Sequence, residues 1–199
     1  MRVLTMVLVQ SLFSGAYAED RLPTIGEMEP AAQMDRHEVY PWIGIQPIAI
    51  WTAFGSDLRI EDGWGYGADI TVTLDYGTKA FLGFRAGVIG WHTETDLPGG
   101  AVNHGVDVRQ YRIGIFGSFP FRFLEFAIGA NVGGYRFRRD NENDTAGFFE
   151  FQAQLGFRPS PHAWFGVVAM QSLTSSNFNR TNNHGTANYS IGPSIELRF

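Results

Sequence analysis

This sequence predicts an all-β fold, an eight-stranded antiparallel transmembrane β-barrel, and three features predict it. Segments alternating apolar with polar residues recur eight times from Tyr40 onward, tight turns and longer polar loops take turns between them, and an export signal precedes them all. The last segment, Thr186 to Phe199, shows the pattern most clearly. Ala187, Tyr189, Ile191, Pro193, Ile195, Leu197 and Phe199 form one largely apolar face, and Thr186, Asn188, Ser190, Gly192, Ser194, Glu196 and Arg198 form the other. Alternation with a period of two is a strand with two unlike faces. Strands of soluble sandwiches usually end after about 5–6 residues. A strand tilted across a bilayer needs about 9–11, and this one is long enough.

The bulk numbers agree with that reading. A chain of 199 residues suits one domain. It contains no run of about 18 apolar residues, so it has no segment fit to be a membrane-spanning helix. Half of each barrel strand faces the lumen, which hides such strands from hydropathy averages. The 24 glycines relieve crowding inside a barrel, and the 15% aromatic content supplies rings for the membrane interfaces. The absence of cysteine excludes a disulfide scaffold and a thiolate metal site. A net charge of -5 argues against a nucleic-acid partner. No cofactor is expected.

Taken in order, residues 1–18 read as a signal peptide: Arg2 is the charged start, Val3 to Val9 the apolar core, and Ala16-Tyr17-Ala18 the cleavage site. Residues 19–39 are acidic and aperiodic and read as a periplasmic leader. Residues 40–199 are the barrel, with strands expected near 41–52, 63–74, 79–91, 106–117, 122–138, 147–157, 163–172 and 186–199. In the second strand Trp64, Tyr66, Ala68, Ile70, Val72 and Leu74 oppose Gly65, Gly67, Asp69, Thr71 and Thr73. In the sixth, Phe149, Phe151, Ala153, Leu155 and Phe157 oppose Glu150, Gln152, Gln154 and Gly156. Pro41 and Pro47 weaken the first strand by removing ladder donors. The seventh, Trp164 to Gln171, does not decide its own faces.

Tight turns fall at Asp75-Tyr76-Gly77-Thr78, Ser118-Phe119-Pro120-Phe121 and Arg158-Pro159-Ser160-Pro161-His162, and longer loops near 53–62, 92–105, 139–146 and 173–185. Short turns on the periplasmic side and longer loops outside are the two ends of an outer-membrane barrel. Aromatics gather at the expected strand ends. Tyr40, Trp42, Tyr76, Phe119, Phe157, Trp164 and Phe199 would form the periplasmic girdle, and Trp51, Trp64, Tyr111 and Tyr135 the outer one.

Eight strands enclose an interior that side chains just fill. The alternation assigns Asp69, Arg85, Arg112, Glu125, Glu150, Gln152, Gln154, Glu196 and Arg198 to that interior, together with Phe81, Phe116 and Phe148. Spacing from the turns predicts that Asp69 faces Arg85 and that Arg112 faces Glu125. Desolvated charges require partners, so this set reads as a polar plug. A narrow, porin-like channel is the competing reading. Arg136, Arg138 and Arg139 crowd the outer end of the fifth strand, with Arg59, Arg109 and Arg180 near the same rim. Guanidinium suits bidentate phosphate contact, which makes the first three candidates for binding lipopolysaccharide phosphates. His92, His104 and His184 fall in separate loops without metal-ligand spacing, so no metal site is expected.

The pattern over residues 40–199 resembles the small outer-membrane β-barrel proteins, and the terminal Phe199 resembles the C-terminal aromatic that the barrel assembly machinery reads in them. That resemblance implies residence in the bacterial outer membrane and a role in envelope integrity or surface interaction. The last hairpin, Gly166-Val167-Val168-Ala169-Met170-Gln171-Ser172-Leu173 with Asn183-His184-Gly185-Thr186-Ala187-Asn188-Tyr189-Ser190, also resembles the end of the outer-membrane lipid A deacylases. In that family one strand carries a His and a Ser two residues apart, and a Glu on the next orients the His. The matching positions here are Gln171, Leu173 and Ala187. Gln is no general base, Leu no nucleophile, and Ala orients nothing. Ser175 or Ser176 with His184 would be the remaining route to a lipid A-modifying enzyme. The expectation is a non-enzymatic barrel.

Overall fold

The computed structural model describes residues 40–75, 80–95, 104–121, 123–139, 142–174 and 185–199. Eight strands follow one another in the chain: β1 (Tyr40–Ala53), β2 (Gly63–Asp75), β3 (Phe81–Glu94), β4 (Gly105–Phe121), β5 (Leu124–Arg139), β6 (Glu142–Ser160), β7 (Ala163–Thr174) and β8 (Thr186–Arg198). Each pairs with its sequence neighbours, and β8 returns to β1 to close the barrel. All of these pairings are antiparallel. The expected signal peptide and leader lie outside the described residues.

Closure leaves no free edge, which is what allows strands to cross a bilayer with every ladder group satisfied. The seam between β1 and β8 carries the thinnest ladder. Its register runs Gly44↔Arg198, Ile45↔Leu197 and Ile48↔Ser194, then resumes at Trp51↔Ile191. Pro47, which has no N–H to give, lies in the first gap. The Ser194 hydroxyl instead donates to the Pro47 carbonyl at 2.9 Å. Phe199 finishes the seam with two backbone bonds to Ile43, of 2.8 and 3.2 Å.

Three strand boundaries differ from expectation. The turn expected at Ser118-Phe119-Pro120-Phe121 is the end of β4, paired with Leu124 to Ala127 of β5. Two more differ for one reason. β5 and β6 stay in register up to Arg139↔Glu142, so the loop expected over 139–146 is mostly ladder, with only residues 140 and 141 between the strands. At the other end β6 runs on to Ser160 through a register shift between Phe157 and Ser160. Polar residues mark both stretches, and in a barrel a polar residue is as much at home on a lumen-facing or protruding strand as in a loop.

The exterior is apolar. Ile43, Ile70, Ile113, Phe151, Leu155, Ile191 and their neighbours are about half exposed. Alternation also settles β7: Trp164, Val168, Met170, Ser172 and Thr174 point inward, while Phe165, Val167, Gln171 and Leu173 point outward. Of the expected girdles, Phe119, Phe157, Phe199, Trp51, Trp64 and Tyr111 are exposed on the outer surface, and Tyr66, Phe121 and Tyr189 join them. Tyr135 and Trp164 do not belong to the girdles. Both are buried, because each shares a parity with inward neighbours (Phe137 and Val168). Trp42 also falls on the inward parity and packs edge-on against His162 at 5.2 Å.

Candidate functional site: the filled lumen and the outer rim

The lumen is built in two chemically distinct layers. Toward the tight-turn end and the middle, the inward positions of β2, β3, β4, β5, β6 and β8 are mostly charged, polar or glycine, with Phe116 and Ala127 the buried apolar members. Arg112 is the centre of this layer. Its Nη2 lies 2.7 Å from Asp69 Oδ2 and its Nε 3.0 Å from Asp69 Oδ1, a two-pronged grip, while Nη1 reaches Glu150 Oε1 at 3.1 Å. The Arg112 and Asp69 side chains are completely buried and Glu150 nearly so. Gln110 and Asn131 donate to the remaining acceptor capacity of Glu150, at 2.8 and 2.7 Å.

The expected pairings are therefore re-dealt. Asp69 is in register with Gly87, not with Arg85, and Gly87 is in register with Arg112. Arg112 thus reaches across β3 to Asp69 over a residue without a side chain. A Cβ on Gly87 would stand 1.9 Å from Asp69 Oδ1, so glycine at 87 is what opens this path. Arg85 stays 3.9 Å from Asp69 and lays its guanidinium 4.4 Å from the centre of the Phe116 ring. Arg112 does not face Glu125 either, because the β4–β5 register sets Arg112 against Gly133 and Glu125 against Pro120.

Glu125 instead organises the tight-turn end. It accepts from Ser118 and pairs with Arg158 and with Arg198, the last at 3.3 Å. Arg198 also binds Glu196 at 2.7 Å, and Glu196 accepts from Thr71 at 2.7 Å. Arg158 was not among the expected interior residues, since Arg158-Pro159-Ser160 reads as a turn. Its signal was parity: it continues the inward series Glu150, Gln152, Gln154. Among the described residues the lumen then holds Asp69, Glu125, Glu150 and Glu196 against Arg85, Arg112, Arg158 and Arg198, four minus four, no net charge.

Toward the long-loop end the lumen turns apolar. Trp91, Val106, Val108, Tyr135, Phe137 and Phe148 are all buried there. The β1–β2 connection folds over them and adds Phe54, Leu58 and Ile60, held by bonds from Phe54 N to Asp62 Oδ1 and from Gly55 N to Asn188 Oδ1, each 3.0 Å. Tyr135 stacks on Phe137 with ring centroids 5.7 Å apart and meets Phe148 at 4.9 Å. Its hydroxyl accepts from Gln110 and bonds Ser172, and the Trp91 indole donates to Thr52 at 3.0 Å. Sequence reading placed Phe148 and Phe116 inside but missed this cap, because its members alternate correctly and only the barrel brings them to one height.

On the outside of the same end, Arg136 and Arg138 are exposed on the outward face of β5, and Arg109 stands opposite Arg136 on β4. Arg139 falls on the other face of β5 and does not join them. His92, also outward, bonds Asp107 at 2.8 Å. Gln171 and Leu173 are exposed and Ala187 is half-buried; Gln171 sits 3.4 Å from the Tyr189 hydroxyl. Ser175, Ser176 and His184 lie outside the described residues. Among the described residues no three His, Asp or Glu side chains are placed to hold a metal.

Comparison with known proteins turns on this closed, eight-stranded geometry. No family model matches the chain, and no curated protein matches it by sequence. Among solved structures it is similar to the Neisserial surface protein NspA, with a TM-score of 0.52 at 10% identity over 80% of this chain and 97% of that one. It is also similar to Ail, the attachment invasion locus protein of Yersinia pestis, solved with the heparin analogue sucrose octasulfate. There the TM-score is 0.50 at 14% identity, over 81% of this chain and 99% of that one. The chain has the fold of the small outer-membrane β-barrels. A barrel of this kind needs an apolar belt outside and a polar interior, and both are present. That belt suits a barrel whose outer surface faces lipid.

Proposed function

We propose that this protein is a non-enzymatic, non-conducting outer-membrane barrel that contributes to envelope integrity or surface interaction. One observation carries the reading: among the described residues a neutral lattice of ion pairs fills the middle of the lumen and an aromatic cap its long-loop end, while a pocket of about 360 Å³ lined by Trp42, Thr73, Phe81 and Arg198 is confined to the tight-turn mouth. A channel needs a continuous water path, and an ion crossing this lumen would have to displace paired, desolvated charges. The lattice thus acts as a plug and the barrel as a rigid display for its outer loops. Phe199, exposed beyond the end of β8 and bonded into the closing seam, supports recognition by the barrel assembly machinery. Arg136 and Arg138 contribute contacts to phosphates of the surrounding lipopolysaccharide, and Arg139, on the opposite face of β5, does not.

The experiment is conductance across a planar bilayer. The purified, refolded barrel should give no discrete current steps; reproducible steps would make it a channel. Enzymatic activity is tested separately, by mass spectrometry of lipid A from cells with and without the protein. An unchanged acyl pattern is expected. A loss of one acyl chain that disappears in His184→Ala would make it a lipid A-modifying enzyme.

A further inference from the structure

The outward faces of β3 to β6 carry two features in vertical register. Near the long-loop end, Arg109 on β4 lies directly opposite Arg136 on β5, and Arg138 follows one outward position higher. The residues flanking this row are uncharged: Gly90 on β3 opposes Arg109, and Thr145 on β6 opposes Arg136. Neither Arg109 nor Arg136 makes an ion pair among the described residues. The nearest outward carboxylate, Asp107, opposes Arg138 one row higher and is bonded to His92. Like charges directly opposed across a ladder destabilise it. Two exposed guanidiniums held side by side are satisfied together by one bidentate or bridging anion.

Below this pair the surface falls away. Tyr111 opposes Gly134, which in turn opposes Gly147, leaving a low strip between bulky neighbours. A Cβ at Gly134 or Gly147 would meet nothing closer than 3.7 Å, so neither glycine is required by the packing of the barrel. Further down the same strands a groove of about 510 Å³ opens on the outer surface, walled mainly by Phe84, Ile113, Ile115, Ala130, Val132 and Phe149. Ala130 forms its floor between Ile115 and Phe151. From Arg109 down to Ile113 is four residues, about 13 Å along the strand.

We infer that this face is a discrete site for one molecule of phosphorylated lipid A, its phosphate bridging Arg109 and Arg136 and one acyl chain lying in the groove over Ala130. The inference rests on the reading that Arg136 and Arg138 meet lipopolysaccharide phosphates and sharpens it: Arg109, from the neighbouring strand, is the essential partner, and the site is bipartite. Charge selects the occupant, because the arginine row is cationic without internal neutralisation. Depth selects it too, because the groove lies on the bilayer-facing surface directly beneath the row. A soluble phosphate would use the first half of the site only.

The test uses the full barrel in phosphatidylcholine nanodiscs loaded with bis-phosphorylated lipid A, with retained lipid counted by native mass spectrometry. Wild type should keep one lipid A per barrel. Arg109→Gln with Arg136→Gln should reduce that retention at least about tenfold, the loss of one charge-assisted contact or more. Ala130→Phe, which fills the groove and leaves the arginines alone, should reduce it several-fold. Dephosphorylated lipid A should be retained no better than by the double variant. Heat-modifiable gel mobility checks that each variant is folded.

If the double variant retains lipid A as wild type does while Arg138→Gln loses it, this site is refuted and the general phosphate reading stands. If wild type itself retains none, both are refuted. Equal displacement by inorganic phosphate, or full retention in Ala130→Phe, would make the site a simple anion patch and overturn the bipartite assignment.

Discussion

Replacing Arg112 with methionine keeps the length and apolar stem of the side chain and removes the one group that joins Asp69 to Glu150. Both carboxylates are then left in a space where the Asp69 side chain has no solvent exposure and that of Glu150 has 2%. Breaking a buried pair by removing one partner costs about 3–5 kcal/mol, mostly the desolvation of the abandoned charge. Arg85, 3.9 Å from Asp69, remains to take up part of that charge, and Gln110 and Asn131 still donate to Glu150. The expected loss is therefore at the low end, about 3 kcal/mol. Urea unfolding from lipid vesicles, extrapolated linearly, measures it. Arg112→Met combined with Glu150→Gln should recover much of the loss, since Asp69 keeps Arg85 as its partner and no unpaired charge is left behind. Arg85→Ala should cost less than Arg112→Met, because Asp69 keeps its two-pronged partner. A loss below about 1 kcal/mol for Arg112→Met, the range of a solvated pair, would mean that water fills the lumen, and the argument for a sealed barrel would fail with it.

Three further outcomes follow from the same geometry. Gly87→Ala places a methyl 1.9 Å from Asp69 Oδ1 and should destabilise by about 1–3 kcal/mol, while Gly90→Ala, whose Cβ meets nothing closer than 3.8 Å, should stay within about 0.5 kcal/mol, both read by the same unfolding assay. Trp91→Ala with Phe137→Ala removes two rings of the aromatic cap and should admit water to the ion-pair layer, seen as faster amide hydrogen exchange around Arg112, while the intact lattice still gives no conductance steps. Phe199→Ala keeps the backbone bonds to Ile43 but deletes the terminal ring, so it should slow assembly in cells, followed by the appearance of the heat-modifiable form, while leaving the stability of the refolded barrel nearly unchanged.

The strand count, the closed architecture and the face of nearly every lumen residue are written in the sequence, because a period of two is a local property. Once Trp64 to Leu74 face lipid, Asp69 must face inward, whatever its partner. The same rule, carried strictly, would have placed Arg158, Tyr135 and Trp164 correctly; a turn-like proline pair and a strand-end position hid it. What alternation cannot supply is height. Whether Asp69 meets Arg85 or Arg112 depends on the stagger of three strands and on Gly87 lacking a side chain, both of which are decided only when the sheet closes. The aromatic cap has the same origin: Trp91, Tyr135, Phe137 and Phe148 come from three strands and share a level only in the barrel. On the outer face, Arg136 and Arg138 were legible as a cluster within one strand. Arg109 opposite Arg136, and the groove beneath them, belong to the register between β4 and β5, and a register is set by the pairing of strands and cannot be read from either strand alone.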